Sequence, residues 1–222
     1  MFITFEGPEG SGKSTQLPEL ARYLESLNLP VVKTREPGGT AIGDQIREVL
    51  VSLDNTELHP RTEILLFLAA RAQLVEELII PSLRQNKIIL CDRYGDSTLA
   101  YQGYGHGLDL DTLRAMLEFA TGGLKPDLTI LLDIDVLTGL KRKKVKEEWN
   151  RLDAFELSFH ERVREGYHIL AGQEPERWKI VDATQKPEQV QNEIRALVLA
   201  AIEKKLDKTT GRKASLIERN SI

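Results

Sequence analysis

Eight residues near the N-terminus, Gly7-Pro8-Glu9-Gly10-Ser11-Gly12-Lys13-Ser14, constrain this chain more than any other stretch. They fit G-x-x-x-x-G-K-[ST] and stand between two different periodicities. The apolar, β-prone run Phe2-Ile3-Thr4-Phe5 precedes them, and a helical pattern through Leu17, Leu20, Ala21 and Leu24 follows. A loop so placed joins a buried strand to a helix N-terminus. Its glycines let backbone N–H groups turn inward toward a polyphosphate, where the positive end of the helix dipole adds to the attraction. Lys13 is then a mobile charge for the terminal phosphates and the Ser14 hydroxyl a ligand for Mg²⁺, with Thr15 completing the stretch.

The rest of the chain alternates short apolar runs with helical patterns. Val31 to Thr34 reads as a second strand running into Arg35-Glu36-Pro37-Gly38-Gly39, a loop whose glycine pair permits close approach of backbone to a ligand. Helices are expected from Ile42 to Val51 and from about Thr62 to Pro81. Lys87 to Cys91 is a buried strand closed by Asp92-Arg93-Tyr94. Further helices are expected over Ser97 to Tyr101 and Leu110 to Ala120, then a strand over Leu128 to Asp133. A basic helical segment from Leu137 to about Lys146 leads into Asn150-Arg151-Leu152-Asp153. A helix through Phe155, Phe159, Val163 and Tyr167 follows, then a strand over Trp178 to Val181 and a helix from Glu188 to about Lys205. Pro18 removes a hydrogen bond from the first helix and predicts a kink there.

Five strands alternating with helices imply βαβ units, hence an α/β fold with a parallel sheet covered on both faces. Charged residues close the strands at Arg35, Asp92, Asp133 and Asp182, at the carboxyl edge where such sheets bind ligands. A chain of 222 residues, 41% hydrophobic, suffices for one domain. Residues 207–222 carry little apolar content and read as a mobile tail.

A phosphate loop alone leaves three classes open: a kinase for small acceptors, a GTPase-like switch, and a motor or nucleic-acid-dependent ATPase. A switch requires a guanine-reading Asn-Lys-x-Asp, but the Asn86-Lys87 pair runs straight into the strand Ile88-Ile89. Lys+Arg 30 against Asp+Glu 34, a net charge of −4, argues against nucleic-acid or membrane binding and makes any anion site local. The single cysteine, Cys91, excludes a disulfide within the chain, and no apolar run approaches 18 residues, so a cytoplasmic location is expected. Asp92, at a strand end, is placed to hold Mg²⁺ across from Ser14. Arg93 beside it suits a bidentate grip on phosphate. The run Lys141-Arg142-Lys143-Lys144-Val145-Lys146 fits either a solvated helix face or a flap carrying positive charge onto a transferring phosphate. The four histidines, His59, His106, His160 and His168, show no metal-ligand spacing.

Together, Phe5 to Gln16, Thr34-Arg35-Glu36-Pro37-Gly38-Gly39-Thr40, Phe67-Leu68-Ala69-Ala70-Arg71, Asp92-Arg93-Tyr94 and Tyr101-Gln102-Gly103 resemble the bacterial thymidylate kinase family, in the family's order, over about residues 1–205. The resemblance implies ATP-dependent phosphorylation of dTMP to dTDP with Mg²⁺ as cofactor. It also implies a three-layer P-loop kinase fold over residues 1–206 with a lid at about 141–153, and a homodimer. By position, Phe67 resembles the aromatic residue that stacks on thymine and Arg71 the arginine that bonds its O4. Thr98 and Gln102 resemble further base contacts, Tyr101 and Glu9 contacts to the deoxyribose side, and Arg93 and Arg47 grips on the acceptor phosphate. Phe67 and Arg71 lie four apart, as do Thr98 and Gln102, so each pair shares a helix face. Family members with a non-basic phosphate loop carry a catalytic lid arginine, whereas this lid is rich in lysine. Arg142 and Arg151 are the arginines available there, with Arg142 preferred.

Overall fold

Alternation within the strands decides the layers. The computed structural model describes residues 1–145 and 151–210. The expected lid residues Lys146 to Asn150 and the end of the expected tail, 211–222, lie outside the described residues. Strands β1 (Phe2–Glu6), β2 (Val31–Arg35), β3 (Ile88–Asp92), β4 (Leu128–Asp133) and β5 (Trp178–Asp182) form one parallel sheet in the order β2-β3-β1-β4-β5. Registers such as Thr4 opposite Cys91 and Thr129 bring all five carboxyl ends to one edge. The sheet and its five strands are as expected from the sequence.

Successive side chains on a strand point to opposite faces. Ile3, Phe5, Ile88, Leu90, Leu128, Ile130 and Leu132 therefore share one face with the apolar sides of α1 (Lys13–Ser26) and α9 (Pro187–Thr210). Leu131 and Trp178 face the other side, under helices α3 (Pro60–Leu74), α6 (Leu110–Thr121) and α8 (Leu157–Gln173). A third cluster packs Phe2, Ile89 and Cys91 against Leu74, Val75 and Ile79. Burial of these side chains stabilises the fold by about 1.5–3 kcal/mol for each large aliphatic or aromatic residue.

Several helical stretches depart from the expected boundaries, among them α8, which begins at Leu157 and leaves Phe155 outside it. The long helix starts at Pro60 and passes through a π turn at Val75–Ile79 before ending as α4 (Ile80–Arg84). Pro81 sits just past that turn, and its ring excludes the carbonyl four residues back, which a widened turn accommodates. After the short α5 (Gly95–Thr98), Leu99–Gly105 is also π-helical. Helix α1 runs unbroken through Pro18. Helix α9 reaches Thr210, so the first four residues of the expected tail continue it. Helices α2 (Ala41–Val51) and α7 (Val136–Val145) complete the set.

Candidate active site

The loop after β1 can exist only as glycine where it bends most tightly. Gly7 has φ +138°, and a Cβ there would lie 2.3 Å from the Leu132 carbonyl oxygen; Gly10, at φ +68°, would place one 1.9 Å from the Gly139 carbonyl oxygen. Both approaches are closer than any side chain tolerates. The loop hands over at Gly12 to α1, whose first residue is Lys13. The Lys13 ammonium donates to the carbonyls of Gly7 and Pro8, both at 2.9 Å, and to Ser11 Oγ at 3.1 Å. Burial first, then the nearby Arg93 charge, pull its pKa down to about 8. Ser14 and Thr15 remain exposed on the first turn.

The loop borders a cavity of about 850 Å³ that runs along the carboxyl edge of the sheet. Its middle is built by the end of β3. Arg93 adopts a left-handed backbone, φ +69°, which costs a non-glycine residue on the order of 1 kcal/mol and turns its side chain back over the loop. Its Nη1 donates to Gly7 O and to Tyr167 Oη, both at 3.1 Å, and its Nη2 donates to Glu9 Oε1 at 2.5 Å. Its guanidinium also lies 5.0 Å from the centre of the Tyr101 ring. Tyr101 Oη donates to the same Glu9 oxygen at 2.8 Å. Burial would raise the Glu9 pKa, but Arg93, Lys143 and Lys13 together hold it far below the usual carboxylate range. Arg93 thus ties the phosphate loop to the Tyr101 and Tyr167 wall of the cavity.

Glu6, which nothing in the sequence reading singled out, anchors this wall. It is fully buried at the end of β1 and accepts from Tyr94 N at 2.8 Å, Ser97 Oγ at 2.5 Å and Tyr167 Oη at 3.0 Å. Burial, then the neighbouring Asp96 charge, push its pKa up to about 7. A carboxylate at the end of a buried strand was the available signal. Asp92 lines the cavity, and its Oδ1 is buried without a hydrogen-bond partner. An orphaned carboxylate oxygen is costly unless a cation completes it, and oxygen donors such as Asp92 and Ser14 suit Mg²⁺. Among the described residues no group of three His, Cys, Asp or Glu is arranged to hold a metal ion by itself.

At the far end, Phe67, Arg71, Thr98, Tyr101 and Gln102 all line the cavity, on α3 and on the α5 and π-helical segment. Phe67 is half-buried and belongs to none of the three core clusters, so its ring is available to the cavity. Arg71 is 1% exposed. Its Nε donates to Glu36 Oε2 at 2.7 Å, Nη1 to Thr98 Oγ1 at 2.9 Å and Nη2 to the Tyr94 carbonyl at 3.1 Å. A buried guanidinium with one carboxylate partner is fixed in orientation. Glu36 thus acquires a role the sequence left undefined. Arg47 also borders the cavity and donates through Nη1 to the Pro37 carbonyl at 2.9 Å.

The lid arginines separate. Arg142, on α7, lines the cavity and donates to the Ala183 carbonyl at 3.0 Å. Gln185, Pro187 and Val190 line the same cavity. Arg151 does not reach the cavity. Its Nε donates to the Leu50 carbonyl at 3.0 Å, and its Nη2 is paired with Glu63. Among the described lid residues, Lys143 is the cation that touches the phosphate loop: its ammonium lies 2.8 Å from Glu9 Oε2 and 2.5 Å from Asp153 Oδ1. It belongs to the basic run read from the sequence as a solvated face or a charge-carrying flap, and the rotation of α7 distinguishes it from its neighbours.

Comparison with known proteins places the chain in a family. The thymidylate kinase family model matches residues 5–194. The chain is 54% identical over 211 residues to a thymidylate kinase of Roseiflexus castenholzii, covering 89% of this chain and 92% of that protein. It is 48% identical over 212 residues to one of Desulfovibrio desulfuricans, covering 92% and 98%. The crystal structure of thymidylate kinase from Ehrlichia chaffeensis superposes with a TM-score of 0.75 at 34% identity, covering 89% of this chain and 98% of that one. With a P-loop kinase fold, a phosphate loop facing a buried arginine across one cavity, and relatives at this identity over nearly its full length, the chain belongs to the thymidylate kinase family.

Proposed function

We propose that the protein transfers the γ-phosphoryl group of ATP to the phosphate of dTMP, giving dTDP, and that it does so in the cytoplasm. The observation that carries this reading is one cavity lined both by the phosphate loop and by an immobilised donor, Arg71, together with the ring of Phe67, which belongs to no core cluster. The loop N–H groups and Lys13 bind the donor phosphates. Arg93 and Arg47 hold the acceptor phosphate in line, and Glu9 with Tyr101 takes the deoxyribose side. Mg²⁺ held by Ser14 and Asp92 would neutralise charge on the transferring group. No side-chain nucleophile is needed, because the acceptor oxygen is already anionic. Gln16, Ala183, Gln185, Pro187 and Val190 line the end left for the adenine. A coupled assay of ADP release with dTMP, dUMP, dCMP, dAMP or no acceptor tests the whole reading. ATP turnover indifferent to dTMP would overturn it.

In this reading the two lid cations divide the work. Lys143 faces the phosphate loop, so Lys143→Ala is expected to lower kcat by about 10²-fold, the scale of one preorganised electrostatic group. Arg142 lies at the adenine end, so Arg142→Ala is expected mainly to raise the KM for ATP, with kcat within about fivefold of the parent. Steady-state kinetics on both variants check this, and a kcat collapse confined to Arg142→Ala would restore Arg142 as the catalytic lid residue.

The homodimer is proposed on a separate ground. Among the described residues, Phe119 on α6 is 92% exposed and Leu65 on α3 57%, with Ile42, Val49 and Leu53 also exposed on or just after α2. Apolar side chains gathered on adjoining helices mark an interaction surface, and the expected occupant is a second copy. Phe119→Asp should halve the mass measured by light scattering after gel filtration. A parent protein that is already monomeric would remove the proposal. Among the described residues no helix is long and apolar enough to cross a membrane, and the acidic net charge supports small-molecule partners without nucleic acid.

A further inference from the structure

Gln102 borders the cavity, yet a side-chain amide carries no fixed message. Its two ends have nearly the same shape, one a donor and the other an acceptor, so what it reads in a ligand depends on whichever neighbour decides which end turns inward. Here the neighbour is Glu63 on α3. Glu63 is 1% exposed, and its Oε1 accepts from Gln102 Nε2 at 2.8 Å. Its other oxygen is held by Arg151, which is itself anchored on the Leu50 carbonyl and lies 5.9 Å from the centre of the Phe155 ring. His106 Nε2 lies 3.7 Å from Oε1 on the remaining side. A carboxylate paired with a guanidinium stays ionised and is an acceptor only, so it takes the NH₂ end of the amide and no other. Gln102 Oε1 accepts no hydrogen bond among the described residues and is left to the cavity.

We propose that Glu63 is a specificity-determining positioning residue: it fixes Gln102 with its carbonyl oxygen toward the base, so that the base end of the cavity offers a donor at Arg71 and an acceptor at Gln102. This rests on the reading of that end as a pyrimidine site. Thymine presents the complement, the O4 acceptor beside the N3–H donor, whereas cytosine presents an amine at C4 and a bare N3, wrong at both positions. Arg71 alone opposes cytosine at one atom. The Glu63–Gln102 pair extends the opposition to the second, and a buried site that leaves polar groups unpaired rejects a ligand strongly.

The test compares kcat and KM for dTMP, dCMP and ATP in the parent, Glu63→Gln, Gln102→Ala and the combined Glu63→Gln/Gln102→Ala protein. Glu63→Gln lets the amide at 102 turn either way. It is expected to raise the KM for dTMP about tenfold, to lower the dTMP over dCMP ratio of kcat/KM by about tenfold, and to leave the KM for ATP within about twofold. On the Gln102→Ala background the same substitution should change that ratio by less than about twofold, because its effect passes through Gln102. Glu63→Gln leaves Arg151 buried without its charge partner, so the charge-balanced Glu63→Gln/Arg151→Gln protein is measured alongside and should lose the same discrimination. An equal loss for dTMP and dCMP, or an effect on the ratio that adds in full on the Gln102→Ala background, would reduce Glu63 to a structural role and overturn the proposal. A parent enzyme with no preference for dTMP over dCMP would instead mean that the pyrimidine-site reading had failed, before any variant is considered.

Discussion

Lys13→Ala should lose at least about 10²-fold in kcat while melting within a few degrees of the parent. In this structure the ammonium is enclosed by the loop's own oxygens, Gly7 O, Pro8 O and Ser11 Oγ. Burial of a charge in that setting is unfavourable, as the pKa of about 8 records, so removing it costs the fold little. Its value lies in the charge it can carry to the β- and γ-phosphates, and one preorganised electrostatic group is worth on the order of 2.7–4 kcal/mol in the transition state. Single-turnover phosphoryl transfer and thermal unfolding, measured on the same samples, separate the two effects. Activity within threefold of the parent would refute the phosphate-loop assignment. The lowered pKa adds a pH dependence whose sign is fixed. Phosphate binds the protonated ammonium, so the pKa rises in the complex, and binding must take up a proton once the free group has lost it. ATP affinity should therefore be flat below about pH 8 and weaken above it by up to about tenfold per unit. Calorimetric titration between pH 7 and 9 should show this in the parent, and Lys13→Ala should abolish it.

Acceptor choice carries the other large effect. The Arg71 guanidinium has only donors, and three nitrogens already hold it rigid against Glu36, Thr98 and the Tyr94 carbonyl. It can pair with the O4 carbonyl of thymine or uracil and meets an amine on cytosine. The parent should therefore prefer dTMP over dCMP by at least about 10³-fold in kcat/KM, since a site built to bond a substrate atom rejects analogues that lack it by about 10⁴–10⁵-fold. The 5-methyl group that separates dTMP from dUMP offers apolar contact worth about 1–3 kcal/mol, so dUMP should be a poor substrate. Arg71→Ala should reduce the dTMP over dCMP preference to about tenfold, whereas Phe67→Ala should weaken both pyrimidines alike. Arg71→Ala also strands the Glu36 carboxylate, whose burial already pushes its pKa up, so Glu36→Gln/Arg71→Gln serves as the charge-balanced control. If dCMP or dAMP outruns dTMP on the parent, the acceptor assignment falls.

Much of this was written in local sequence, and the reasons are physical. The phosphate loop is legible because it depends on residues adjacent in the chain. Glycine is required at Gly7 and Gly10 by contacts closer than any Cβ allows, and a strand must precede and a helix follow. The three central strands are legible because buried parallel strands are short apolar runs, two of them closed by a charged residue at Asp92 and Asp133. Pairs four apart on one helix, such as Phe67 and Arg71, reach the same cavity because helical periodicity puts them there.

What the sequence could not determine are the partners that meet across long separations. Glu6 and Tyr167 are 161 positions apart, Lys143 and Glu9 134, and Arg151 and Glu63 88. Nothing local distinguishes Lys143 from the basic residues beside it, or Arg151 from a lid arginine free to reach phosphate. The packing of α7 against the loop directs one side chain to Glu9, and the 3₁₀ turn at Arg151–Ala154 turns another toward Leu50 and Glu63. The sequence by itself determined the strand, the loop and the chemistry of phosphate binding, because each is a short-range property of the backbone. Only the tertiary structure decided which charges oppose one another inside the cavity, because a buried ion pair is defined by where two distant elements converge.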